Sequence, residues 1–138
     1  MSQQIAVHPS LAHKTSDTAA NVALWLVQIL AAGMFFLAGA SKLAGAPAMV
    51  ALFGAIGVGQ WFRYVTGALE ITGAVALLVP ALSGVGALLL AGVMTGAIAT
   101  HLLVIGGNPV PPFVLLVATA IVAYGRRERT LRLFGVGH

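Results

Sequence analysis

Long apolar runs, interrupted at a few points by turn-forming residues, set the layout of this chain. A helix crosses the hydrocarbon core of a bilayer with about 20 apolar residues at about 1.5 Å each. Four runs meet or approach that length: 21–41, 62–79, 83–105 and 110–125. Pro80 ends the second run, Ser83 is placed to cap the third, and the stretch from Gly106 to Pro112 (GGNPVPP) cannot stay helical. Prolines in the first turn of the fourth run are tolerated, because the donors they lack would be unpaired there anyway. The connection 42–61 is too long for a tight turn, and its Met49, Leu52, Phe53 and Ile56 follow the i, i+3, i+4, i+7 spacing of one helical face. The pattern predicts a short interfacial helix between the first and second spans, ended by Gly57 and Gly59 and anchored by Trp61. A surface loop rich in apolar residues is the alternative.

Composition narrows the class. The chain has 138 residues, 59% hydrophobic and 7% charged, with mean hydropathy +1.01, whereas soluble domains carry about 25% charged residues. An ordinary soluble fold is excluded, and the expectation is an all-α bundle of four transmembrane helices occupying residues 21–125. Residues 1–20 read as a flexible cytoplasmic tail without the basic-then-apolar layout of a cleaved signal peptide, so the first span is expected to be an uncleaved anchor. Residues 126–138 read as a basic cytoplasmic tail.

The net charge of +4 comes mostly from Arg126, Arg127, Arg129 and Arg132, beside a single Glu128. Next to an apolar span such a cluster reads the anionic face of a membrane. Nucleic acid is not an expected partner, since aromatic interleaving and a folded basic domain are both missing. The basic end places both termini in the cytoplasm, with 42–62 and 106–109 facing outward from a bacterial inner membrane. Lys42 and Arg63 oppose that orientation. Cysteine is absent, which removes disulfides, thiolate nucleophiles and cysteine-ligated metal or iron–sulfur sites. Redox chemistry would then rest on a bound cofactor or a partner.

Ionisable groups at membrane depth are costly and by default mark function or a compensating partner. Glu70 falls about 12 Å into the second span. Arg63 precedes it by nearly two turns and shares its face with Thr66, Gly67, Gly73 and Ala74. His101, in the antiparallel third span, and Lys42, closing the first, reach the same outer half. Lys42, Arg63, Glu70 and His101 therefore form the candidate buried polar cluster, while the cytoplasmic half has almost no ionisable residue. The cluster is open to three readings: an interhelical lock, a ligand or cofactor pocket, and a proton or ion path. No metal site is expected, because a single membrane histidine lacks a second ligand at suitable spacing. His8, His13 and His138 lie in the tails and carry no readable site. Trp25, on one face with Gln28, reads as an interfacial anchor, with Tyr124 as its cytoplasmic match on the fourth span. Gly39, Gly67, Gly73, Gly92 and Gly96 are the candidate helix-packing glycines, since small residues let helices approach closely in lipid. Gly92 to Gly96 (GVMTG) is a GxxxG match, read as bundle packing or as the seam of a homo-oligomer.

Three motifs, in order, resemble the DoxX-like family of small four-helix membrane proteins: GASKL at Gly39 to Leu43, GALEITGAVALLVP at Gly67 to Pro80, and VMTGAIATHL at Val93 to Leu102. The family's lysine falls on Lys42, its glutamate and small residues on Gly67, Glu70, Gly73 and Ala74, and its histidine on His101. The resemblance spans about Ala23 to Arg127. It implies a small membrane component of a redox system, an oxidoreductase subunit or the partner of one, with a quinone as the ligand. The absence of cysteine sets aside a thiol relay. A non-catalytic assembly factor or small-solute carrier is the alternative.

Overall fold

The computed structural model describes residues 9–136, with side chains from Ser16 onward. The tail readings for His8 and His138, and for the side chain of His13, lie outside the described residues. Every regular element among the described residues is helical: α1 (Pro9–Ala44), α2 (Pro47–Ile56), α3 (Gln60–Leu78), α4 (Ser83–Thr100), α5 (Val110–Gly125) and α6 (Arg127–Leu133). α4 runs on through a single π turn, His101–Ile105.

The element boundaries follow local chemistry. α2 ends where Gly57 takes the left-handed conformation at φ +81°, its N–H donating to the Phe53 carbonyl. Gly59 follows at φ +114°, and a Cβ there would stand 2.9 Å from the Trp61 ring. These glycines turn the chain by 117° between α2 and α3. The short helix is thus present, and its buried Phe53 packs edge-on against Phe62. Ser83 does not cap α4 as expected. It is the first helical residue, and its buried hydroxyl donates to the Pro80 carbonyl, closing the turn instead.

Two helices among the described residues, Ser16–Ala44 and Ser83–Ile105, are long and apolar enough to cross a membrane by themselves. α3 and α5 meet the same test only as bent pairs, with α2 at 117° and with α6 at 64°. α1 packs on α3, α3 on α4, and α4 on α5. The core between them is Phe35, Ala74, Leu77, Ala87, Leu90 and Val122, all fully buried. Large apolar residues point outward as well, including Leu30 and Leu37 on α1, Leu103 on the π turn, and Phe113 and Val114 on α5. Apolar surfaces on both the inside and the outside are what a bundle solvated by lipid presents.

The ends of the described chain are helical too. α1 starts at Pro9 and runs through residues 9–20, read from the sequence as a tail. The basic segment is also folded: it forms α6, and Arg126 at the α5–α6 corner is only 5% exposed. Arg126 donates through Nε to Gln28 Oε1 at 2.8 Å and through Nη1 to Asn21 Oδ1 at 2.7 Å, with the Trp25 ring 5.7 Å away. Gln28, fully buried, donates in turn to the Leu77 carbonyl at 2.6 Å. That carbonyl is in the last turn of α3, where the helix supplies no partner. The half expected to have almost no ionisable residue thus holds one, at the α5–α6 corner. A buried arginine ties α1, α3 and α5 together there, held by neutral acceptors.

Candidate functional site

Lys42 stands in the last turn of α1, and Glu70 in the middle of α3. Close approach of the two helices brings them together. Gly39, three residues before Lys42, faces Gly67, three residues before Glu70: a Cβ on Gly39 would stand 2.9 Å from the Gly67 carbonyl oxygen. The Lys42 ammonium donates to Glu70 Oε1 at 3.2 Å and lies 2.9 Å from Oε2. Glu70 is 2% exposed. Its Oε2 has no donor in hydrogen-bonding geometry, so the charge of Lys42 is what holds that oxygen.

Arg63 does not join this pair. It is buried, but its Nε donates to Gln60 Oε1 at 2.7 Å, its Nη1 donates to the Lys42 backbone carbonyl, and its guanidinium lies over the Tyr64 ring. A shared helical face is what groups Arg63 with Glu70 in the sequence. Seven residues of helix, however, separate two positions by about 10 Å along the axis, and the Lys42 carbonyl in the last turn of α1, which also accepts the Gly45 N–H, is nearer. Arg63 is a cap on α1.

His101 opens the π turn, a local widening of the helix that recurs at functional sites. Its Nδ1 lies 2.8 Å from the Ala97 carbonyl oxygen. Gly106, left-handed at φ +63°, ends the turn, and Gly107 passes beside the imidazole, where a Cβ would stand 2.8 Å from Cδ2. Asn108 Oδ1 then accepts the Val110 N–H and starts α5.

These residues meet at a cavity of about 740 Å³. Its wall is apolar for the most part, with Phe53 and Ile56 from α2, Leu69 from α3, Leu88 and Met94 from α4, and Leu115 from α5. Lys42, Glu70 and His101 all line it, and Arg63 does not. The cavity exists because α3 and α4 touch at one end and part toward the other. Near the Pro80 turn, a Cβ on Gly73 would overlap Leu90 at 2.5 Å, and one on Gly86 would meet Ala76 at 2.7 Å. Farther along α4, a Cβ on Gly92 or Gly96 would meet nothing within 4 Å, and both glycines line the cavity. Gly39, Gly67 and Gly73 thus lie in close helix contacts, while Gly92 and Gly96 face no neighbour within 4 Å among the described residues. Their missing side chains leave the space open. Leu88 and Leu69, on the same wall, are 55% and 37% exposed, so the cavity is open on that side. Among the described residues no group of three or more metal-ligating side chains comes together.

The ion pair gives a direct test of the polar wall. Lys42→Met leaves the Glu70 carboxylate buried without its counter-charge and is expected to lower stability by about 3–5 kcal/mol. The double variant Lys42→Met/Glu70→Gln should recover much of that loss. Thermal unfolding in detergent measures both, and a double variant no better than the single one would mean that the pair is not coupled.

Sequence reasoning missed the Asn21, Gln28 and Arg126 network. Its signal was Gln28, an amide in the middle of an otherwise apolar run, which needs a partner at that depth.

A model of the DoxX-like family matches residues 26–124. No curated protein and no solved structure matches the chain.

Proposed function

The chain is a membrane protein and belongs to the DoxX-like family, and from that premise we propose that it is the small membrane component of a redox system, binding a quinone in the cavity between α3 and α4. In this reading α1, α3, α4 and α5 are four spans of a bundle in a bacterial inner membrane, with both termini in the cytoplasm. The observation that carries the reading is the cavity itself: about 740 Å³, largely apolar, with an ammonium–carboxylate pair and an imidazole on its wall. Ligand pockets commonly occupy about 300–1,000 Å³ and combine apolar walls with a few placed polar groups. The open side between Leu69 and Leu88 suits a ligand arriving from lipid.

A quinone would supply the electron chemistry. The chain's own part is to hold the head group against Lys42, Glu70 and His101, to take or give protons there, and to shield the ring from water. The enzyme that oxidises or reduces the quinone is the expected partner. In membranes of a host lacking the gene, wild-type protein should restore quinol-dependent electron flow, and Glu70→Gln should restore several-fold less at equal protein level. Equal restoration by both, or none by the wild type, would remove the redox reading.

One observation favours a second reading. Lys42 and Glu70 already satisfy each other's charge, as a packing lock in a non-catalytic assembly factor or solute carrier would. In that case Glu70→Gln lowers the melting temperature and leaves electron flow untouched.

A further inference from the structure

We infer that the cavity selects ligands that carry a hydroxyl group, accepted by His101 Nε2, and therefore prefers the reduced, hydroxylated form of a lipophilic ring over its oxidised or alkylated form. The inference rests on the reading of the cavity as a ligand site, and adds which chemical form it takes.

The donor and acceptor inventory of the wall leads to it. Ala97 offers His101 Nδ1 a carbonyl oxygen, which can only accept, so Nδ1 carries the proton. In the neutral imidazole Nε2 is then a bare acceptor. Among the described residues no donor reaches it. Gly107, lacking a Cβ, leaves the edge of the ring uncrowded. The hydroxyls on the same wall are committed as donors to their own helix: Thr66 to the Phe62 carbonyl and Thr100 to the Gly96 carbonyl, both at 2.8 Å. Each has only lone pairs left for a ligand. Asn108 Oδ1 is taken by the Val110 N–H, which leaves its Nδ2 amide as a donor, and the Lys42 ammonium is directed at Glu70. Beside the Asn108 amide, a donor, the free capacity on this wall is acceptors: His101 Nε2 and the two threonine oxygens. A ligand that brings donors pairs them, whereas one that brings only carbonyl or ether oxygens strands them. Sites built to receive a hydroxyl reject analogues that lack it far more strongly than apolar pockets reject a change of shape.

The test compares a short-chain hydroquinone, kept reduced, with its dimethyl ether, titrated against detergent-solubilised full-length protein by calorimetry. The hydroquinone is expected to bind at least about tenfold more tightly. In His101→Phe that ratio should fall toward one with the ether's affinity unchanged, and His101→Gln, which keeps an acceptor oxygen, should retain part of it. Equal affinities on the wild type, or a ratio that survives in His101→Phe, would overturn the hydroxyl preference while leaving the cavity as a ligand site. Failure of both probes to bind would overturn the cavity reading and this inference with it. If His101→Phe does not fold, the wild-type ratio and His101→Gln still decide.

Discussion

Gly39→Val is expected to prevent the bundle from assembling. Gly39 and Gly67 lie back to back across the α1–α3 contact: a Cβ on Gly39 would stand 2.9 Å from the Gly67 carbonyl oxygen and 2.8 Å from Ile71, and one on Gly67 would stand 3.0 Å from the Gly39 carbonyl oxygen. A side chain that blocks the way can change rotamer. A backbone oxygen can move only if the helices separate. Forced overpacking of a core costs about 1–3 kcal/mol, and separation here also draws Lys42 away from Glu70, at about 3–5 kcal/mol for a buried charge left alone. Together these rival the whole stability of a small domain, about 5–15 kcal/mol. Gly33→Val is the control, because Gly33 sits on α1 with open space around it. Size-exclusion chromatography and a thermal melt in detergent should show a monodisperse, cooperatively melting Gly33→Val and an aggregated Gly39→Val. If Gly39→Val melts like the wild type, the α1–α3 contact is not as close as described.

Gly96→Leu should do the opposite, leaving the fold and removing the ligand. A Cβ at position 96 meets nothing within 4 Å, and glycine is about 1 kcal/mol worse than alanine within a helix, so the substitution carries no steric penalty at its base. Its side chain enters the space between α3 and α4 that the cavity occupies. Binding of a short-chain quinone or quinol should weaken by more than about tenfold, at an unchanged or slightly raised melting temperature. Gly92→Leu should behave alike. The pair also decides what GVMTG is for. A dimer seam would respond to either substitution with a change of oligomeric state, whereas a cavity wall responds with a change of affinity.

Much of the fold was legible because membrane depth imposes length and apolarity together. The run expected at 110–125 is α5, Val110–Gly125, and the run at 83–105 is α4 with its π turn. Lys42, Glu70 and His101 were legible for a related reason: charges and imidazoles are so expensive in lipid that few are present, and antiparallel neighbours bring those few to one level. What was not legible depended on reach and on distant partners. Arg63 shares a face with Glu70, yet periodicity is silent about the two turns between them. Arg126 read as one member of a basic run facing the anionic membrane surface, and its burial is decided by Gln28, 98 positions away. Gly92 and Gly96 match a packing motif, but a motif does not say whether a partner helix lies opposite. Here α3 has already parted from α4, and the same small residues make a space where a contact was expected.

The central claim is that this space holds a lipophilic molecule in the membrane. Native mass spectrometry of protein released from its own membranes tests it most directly, with wild type and Gly96→Leu prepared side by side. The expected result is a small lipophilic adduct on the wild type that is absent from Gly96→Leu. A wild type that emerges bare, or the same adduct at the same occupancy on both proteins, would contradict it.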